Sequence, residues 1–187
     1  YKKSPYFIPA VVEYARSLHE KGMREEAEQQ LHKAASLSGP KHQVLYCLGG
    51  MSLERGNHER ARQYYLQALA EARVDKKLVL MGPHLKKNIL SSLSDVEMVK
   101  SKSPSNDKKT KHRYYQKAIG YLLEAHNEDP SDSFLLYNIA KLYLITGNKT
   151  EAVKYFEEFI EKRDNDIYRQ TAEKLLKKIR SSAMLLS

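Results

Sequence analysis

An interval of 34 residues constrains this chain more than any other feature. Gly22 and Gly56 lie 34 residues apart, and Gly147 sits in the same local setting. Five residues after each glycine stands an alanine (Ala27, Ala61, Ala152), and four further on a large apolar or aromatic residue (Leu31, Tyr65, Phe156). Three beyond that come Ala34, Ala68 and Phe159, while seven before each glycine the residue is small: Ala15, Gly49, Ala140. Ala118, Leu122, Ala125 and Pro130 supply the second half of another unit, each 34 residues ahead of Ala152, Phe156, Phe159 and Asp164. The physical sense of such a pattern is close packing between paired helices. Small residues let two backbones approach where the helices cross, and the large neighbour fills the gap. A glycine between them ends the first helix in a left-handed conformation that other residues adopt only at a cost.

The period and the small and large positions resemble the tetratricopeptide-repeat (TPR) family, whose unit is a helix-turn-helix. The resemblance implies an all-α fold, a right-handed α-α superhelix of about four repeats plus a C-terminal capping helix. The boundaries expected for this single domain, 1–187, are repeats at 8–41, 42–75, 83–132 and 133–165, with the cap at 166–184. The second helix of repeat two is expected to run toward Leu80, stopped by Gly82-Pro83, and repeat three to start near Pro83. Repeat three departs from the family in having roughly sixteen extra residues between its helices. Residues 100–109 contain no apolar side chain and include Pro104 and Asn106, which predicts a mobile loop insertion near 97–112.

In the family, the first helix of every repeat lines the concave side, where extended peptides commonly bind. The helical period then selects the inner faces. They carry Val12, Arg16 and His19; Tyr46, Gly50 and Leu53; His84, Lys87 and Ser91; and Tyr137, Lys141 and Leu144. The expected partner-binding residues are Arg16, His19, Tyr46, Lys87, Tyr137, Lys141 and Leu144. Their mixture of cations with aromatic and apolar groups suits a peptide with acidic groups and one or two apolar anchors, each worth on the order of 2 kcal/mol. The competing role for the same side chains is packing against the neighbouring first helix. One family subtype, the carboxylate clamp that captures a chaperone's C-terminus, does not match. The corresponding positions are Val12, Arg16, Cys47, His84 and Asn88, of which only Arg16 keeps a positive charge.

The net charge of +9 is unevenly placed. Between Lys76 and Lys117 stand eleven Lys or Arg against three acids, a local excess of +8. Lys100, Lys102, Lys108, Lys109, Lys111 and Arg113 therefore form a possible anionic-ligand loop, open to nucleic acid, an acidic protein segment or an anionic membrane surface. The commoner role of such a run is a solvated surface. Ser103-Pro104 within it has the form of a phosphorylation site, though an ordinary loop Ser-Pro is the more frequent meaning.

No phosphate-binding glycine loop, nucleophile elbow or paired-carboxylate spacing occurs, so no catalytic residue, cofactor or enzymatic activity is expected. The seven histidines are scattered singly, which does not suit a metal site. Most of the thirteen tyrosines fit the packing positions that this family fills with aromatics. Cys47, the one cysteine, precludes an internal disulfide and fits a reducing compartment, hence a cytoplasmic expectation. No apolar run approaches the ~18 residues of a membrane span. The leading functional expectation is a protein-binding adaptor. Besides nucleic-acid or anionic-surface binding, a third reading is one segment of a larger assembly subunit, whose signature would be an apolar patch at Val11, Val12 and Tyr14.

Overall fold

The computed structural model describes residues 7–74, 84–163 and 166–184. Among these are nine helices and no strand: α1 (Phe7–Glu20), α2 (Arg24–Ala35), α3 (His42–Glu54), α4 (His58–Val74), α5 (His84–Ser101), α6 (Lys108–Glu128), α7 (Ser133–Ile145), α8 (Lys149–Glu161) and α9 (Ile167–Met184). Consecutive helices pack as antiparallel pairs, and α1 also touches α3 as α3 touches α5. The odd-numbered helices thus stand side by side, and the stack is an all-α helical-repeat superhelix. The run of α4 toward Leu80, the Gly82-Pro83 stop and the start at Pro83 lie outside the described residues.

The turn glycines close three of the helices as their spacing predicts. Gly22, Gly56 and Gly147 have φ of 81°, 73° and 85°. At the first, Gly22 N–H donates to His19 C=O at 2.9 Å and Met23 N–H to Leu18 C=O at 2.9 Å. The same pair of bonds recurs at Gly56-Asn57 and Gly147-Asn148, so each turn satisfies carbonyls that a helix end leaves open.

The small-residue positions sit inside the helix contacts. Ala27, Ala61, Ala118 and Ala152 are fully buried, and each belongs to one of three core clusters that follow one another along the stack. The first joins α1 to α3 around Leu31 and Leu48. The second, around Tyr65, Leu90 and Leu122, runs from α3 to α7. The third holds Phe156, Phe159, Ala172 and Leu176 between α7 and α9. Gly49 shows why this position must be small: a Cβ there would lie 2.5 Å from Tyr65 Cε1.

The insertion in repeat three takes a different form from the one expected. A loop covers only residues 102–107, and the remaining residues lengthen the two helices. Lys100 is therefore on α5, and Lys108, Lys109, Lys111 and Arg113 are on α6. With 18 and 21 residues against 13 in each of α7 and α8, the α5–α6 hairpin gains roughly 8–12 Å at 1.5 Å per residue. The added turns of α5 bury polar groups where an apolar stripe would ordinarily continue. Glu97 is fully buried with Oε1 2.7 Å from Arg62 Nε on α4, and the buried Ser101 hydroxyl donates to Met98 C=O. Asp107 starts α6 by accepting from Thr110 N–H at 2.7 Å, and Asn106 Nδ2 ties the loop back to Lys100 C=O. These bonds hold a stretch that, by composition alone, has no reason to be ordered.

Candidate interaction surfaces

The inner helices bring some of the sequence-predicted residues together and withdraw others. On α1 and α3, Arg16, His19, Gly50 and Glu54 surround a recess of about 140 Å³ whose floor is Ala15, Leu31, Cys47 and Met51. Arg16 is exposed, pairs with Glu13 at 3.2 Å and reaches the Cys47 thiol. His19 Nε2 lies 2.8 Å from Glu54 Oε2, linking α1 to α3 across the mouth. Burial pushes the Cys47 thiol above its usual pKa, so it stays protonated and serves as a small apolar floor group. Glu54 escaped the sequence reading, although it stands one helical turn after Gly50 and shares its face.

Tyr46 is half-buried, its ring tilted against Tyr65 at 5.7 Å, and it forms part of the wall between α3 and the central core. Val12, placed on the inner face by its period, is instead 2% exposed. The apolar patch expected of an assembly subunit therefore reduces to Tyr14, since Val11 packs against the first core cluster.

Lys87 does not project free into the groove. Its ammonium lies 2.8 Å from Asp132 and 3.1 Å from Asp129, with 14% of the side chain exposed. The hydrogen bond to Asp132 raises its pKa, and the charge is committed to pinning α5 against the α6–α7 junction. Asp129 is held down to about 2, first by the Ser131 hydroxyl and then by Lys87. Lys86 pairs with Glu128 at the same junction.

Tyr137 is likewise withdrawn. It packs within 5.3–5.9 Å of Phe156, Phe159 and Tyr168, because α9 covers the part of α7 that carries it. Lys141 remains exposed with its ammonium 5.3 Å over the Tyr137 ring, and Leu144 packs against the third core cluster. Phe134, stacked beneath the Arg163 guanidinium at 4.1 Å, and Tyr168 are exposed here in its place.

A second surface lies at the α5–α6 tip. Lys100 bonds Glu59 at 2.6 Å and stands 5.5 Å over the Tyr114 ring, which Arg113 approaches at 6.0 Å. Beside Tyr114 runs an open groove of about 500 Å³ lined by His58, Val99, Lys100, Lys102, Ser103 and Asn106. The Ser103 hydroxyl is 2.9 Å from that of Ser105. No group of three or more His, Cys, Asp or Glu side chains stands together among the described residues. Nor is any helix among them long and apolar enough to cross a membrane.

Two-helix units closed by glycine turns, nested on small residues and leaving the odd-numbered helices side by side define a helical-repeat solenoid. The chain carries tetratricopeptide repeats: residues 14–75 and 135–163 each match a family model described as tetratricopeptide repeat. Such proteins are typically non-enzymatic adaptors. Among solved structures it is similar to human IFIT1 bound to PPP-AAAA, with a TM-score of 0.64 at 15% identity over 86% of this chain. It spans only 34% of that protein's length. MamA gives a TM-score of 0.64 at 19% identity, over 86% of this chain and 81% of its own. Kinesin light chain TPR-like repeats from Podosopora anserina give 0.60 at 14%, over 98% and 90%. At these identities the likeness concerns fold alone. No curated protein matches the chain in sequence.

Proposed function

We propose that the chain is a non-enzymatic cytoplasmic adaptor whose single domain holds a protein or peptide segment along the inner helices. The recess between α1, α2 and α3 carries this reading. Its volume of about 140 Å³ and its floor of Ala15, Leu31, Cys47 and Met51 suit one aliphatic side chain. Arg16 at the rim suits an acidic group next to it in the ligand, and Lys141 offers a second exposed cation further along the same side. Lys87 and Tyr137 belong to the scaffold that positions these groups. The free Cys47 thiol agrees with a reducing compartment.

Gly50 gives a clean test. A Cβ added there has only the Tyr65 hydroxyl within 4 Å, at 3.7 Å, so Gly50→Leu fills the recess without a backbone clash. Peptides selected by display on the unaltered protein are expected to share an aliphatic residue near an acidic one. By calorimetry, Gly50→Leu and Arg16→Glu should each weaken them about tenfold or more. Equal affinity for all three proteins rejects the recess as the site.

A further inference from the structure

Several cations elsewhere in the described residues are matched to acids. Arg55 meets Glu28, Lys86 meets Glu128, Lys87 meets Asp129 and Asp132, and Arg163 meets Asp166. The α5–α6 tip gathers several cations in one place. Lys102, Lys108, Lys109 and Lys111 have no ion pair among the described residues, and Arg113 lies over Tyr114 and within electrostatic reach of Asp107. Three of these lysines stand in the first turn of α6, at the helix end whose positive dipole the Asp107 cap already faces. Lys109, Arg113 and Lys117 follow one another at intervals of four residues, each a rise of about 6 Å along one exposed face.

Glu59 and Asp107 offset only part of this charge; the surplus attracts a polyanion, and the surroundings decide which. Among the described residues the exposed large apolar ones are Tyr14, Met23, Phe134, Ile145, Ile167 and Tyr168, none of them at the tip. A protein partner would lack its anchors there, and a membrane-inserting face would lack its apolar side. The cations also occupy two flanks of a protruding hairpin. Lys100 and Lys102 line the groove, whereas Lys109 and Arg113 are exposed on α6. A flexible strand follows both. The groove adds a ring, Tyr114, an amide, Asn106, and a hydroxyl, Ser103, beside its two lysines. Flat rings beside cations are what an unpaired base and its phosphate require.

We infer that the α5–α6 tip binds single-stranded nucleic acid independently of base sequence. Phosphates track Lys109, Arg113 and Lys117, and one base enters the groove beside Tyr114. This surface is separate from the inner recess, so either reading stands without the other.

Fluorescence anisotropy with labelled oligouridylate and oligothymidylate of about 15 nucleotides tests it on the chain as it exists. Engagement of three or four phosphates predicts affinity falling about 20- to 50-fold between about 50 and 200 mM salt. The combined change Lys108→Gln, Lys109→Gln, Lys111→Gln and Arg113→Gln is expected to weaken binding at least tenfold and flatten the salt dependence. Tyr114→Leu keeps the bulk of the side chain but removes its ring, and is expected to weaken binding about fivefold or more. Circular dichroism melts confirm that both variants fold. Binding of either strand with these losses supports the inference, and preference for one strand identifies its natural source. Three results overturn it: no strand binding at the lowest salt, strand binding unchanged in the four-residue variant, or tighter binding to phosphatidylserine vesicles or polyglutamate than to either strand.

Discussion

Asp129 shows how a single carboxylate can make this fold sensitive to acid. Its ordinary pKa is 3.8, and the Ser131 hydroxyl, followed by Lys87, depresses it to about 2 in the folded chain. A depressed carboxylate contributes stability that is fully present above its unfolded pKa and is lost as pH falls through the folded value. The midpoint for urea unfolding is therefore expected to drop as the pH is lowered from about 4 to about 2. Asp129→Asn should be less stable than the unaltered chain at neutral pH, and the gap should narrow through that window. A constant gap from neutral pH to pH 2 would show that the Ser131 and Lys87 contacts do not set the titration. The same contacts explain why the sequence misplaced Lys87. Its partners lie 42 and 45 residues further on, and helical periodicity reports the face of one helix without naming what another helix sets against it.

At the level of the helix pair, the repeat was legible because its markers are backbone constraints. Gly22, Gly56 and Gly147 announce left-handed turns, and Ala27, Ala61, Ala118 and Ala152 announce close crossings, whatever the surface around them. The lengthened α5–α6 hairpin was illegible for the converse reason. Its added turns bury Glu97 and Ser101 and expose lysines, so no apolar periodicity marks them, and the Asp107 cap and Asn106 tether look like ordinary loop residues. Two glycine substitutions separate these kinds of position. Gly49→Ala forces a Cβ to within 2.5 Å of the Tyr65 ring and is expected to cost about 1–3 kcal/mol. Gly120→Ala, on the exposed face of α6 with nothing within 4 Å of the new Cβ, should gain up to about 1 kcal/mol from helix propensity. Thermal melts that moved both variants in the same direction would contradict the packing assigned to Gly49.

Across the whole molecule, the three core clusters make stability a matter of neighbours. Repeat arrays transmit strain chiefly to adjacent units, and the third cluster shares none of its buried residues with the first. Phe156→Ala is expected to cost about 3–5 kcal/mol, concentrated where Phe156 packs. Hydrogen exchange should accelerate in α7, α8 and α9 while amides of α1 and α2 keep most of their protection. Uniform acceleration throughout would mean that the clusters melt as one. The candidate recess, carried by the first cluster, should then keep its shape when the far end is damaged. That insulation also clarifies why only part of the inner surface could be read from sequence. Arg16 stays exposed on α1, whereas Tyr137 lies where α9 packs.

The covering of Tyr137 by α9 has one more effect, on encounters between copies. A unit stacked beyond α9 would need an oily flank to rest on, and past the exposed Ile167 and Tyr168 at its start the helix turns Glu173, Lys174, Lys177, Lys178 and Arg180 outward. Two molecules meeting at that end face mostly hydrated charge, so the arrangement that lets hairpins nest within one chain gives little encouragement to runaway fibre growth from one chain to the next.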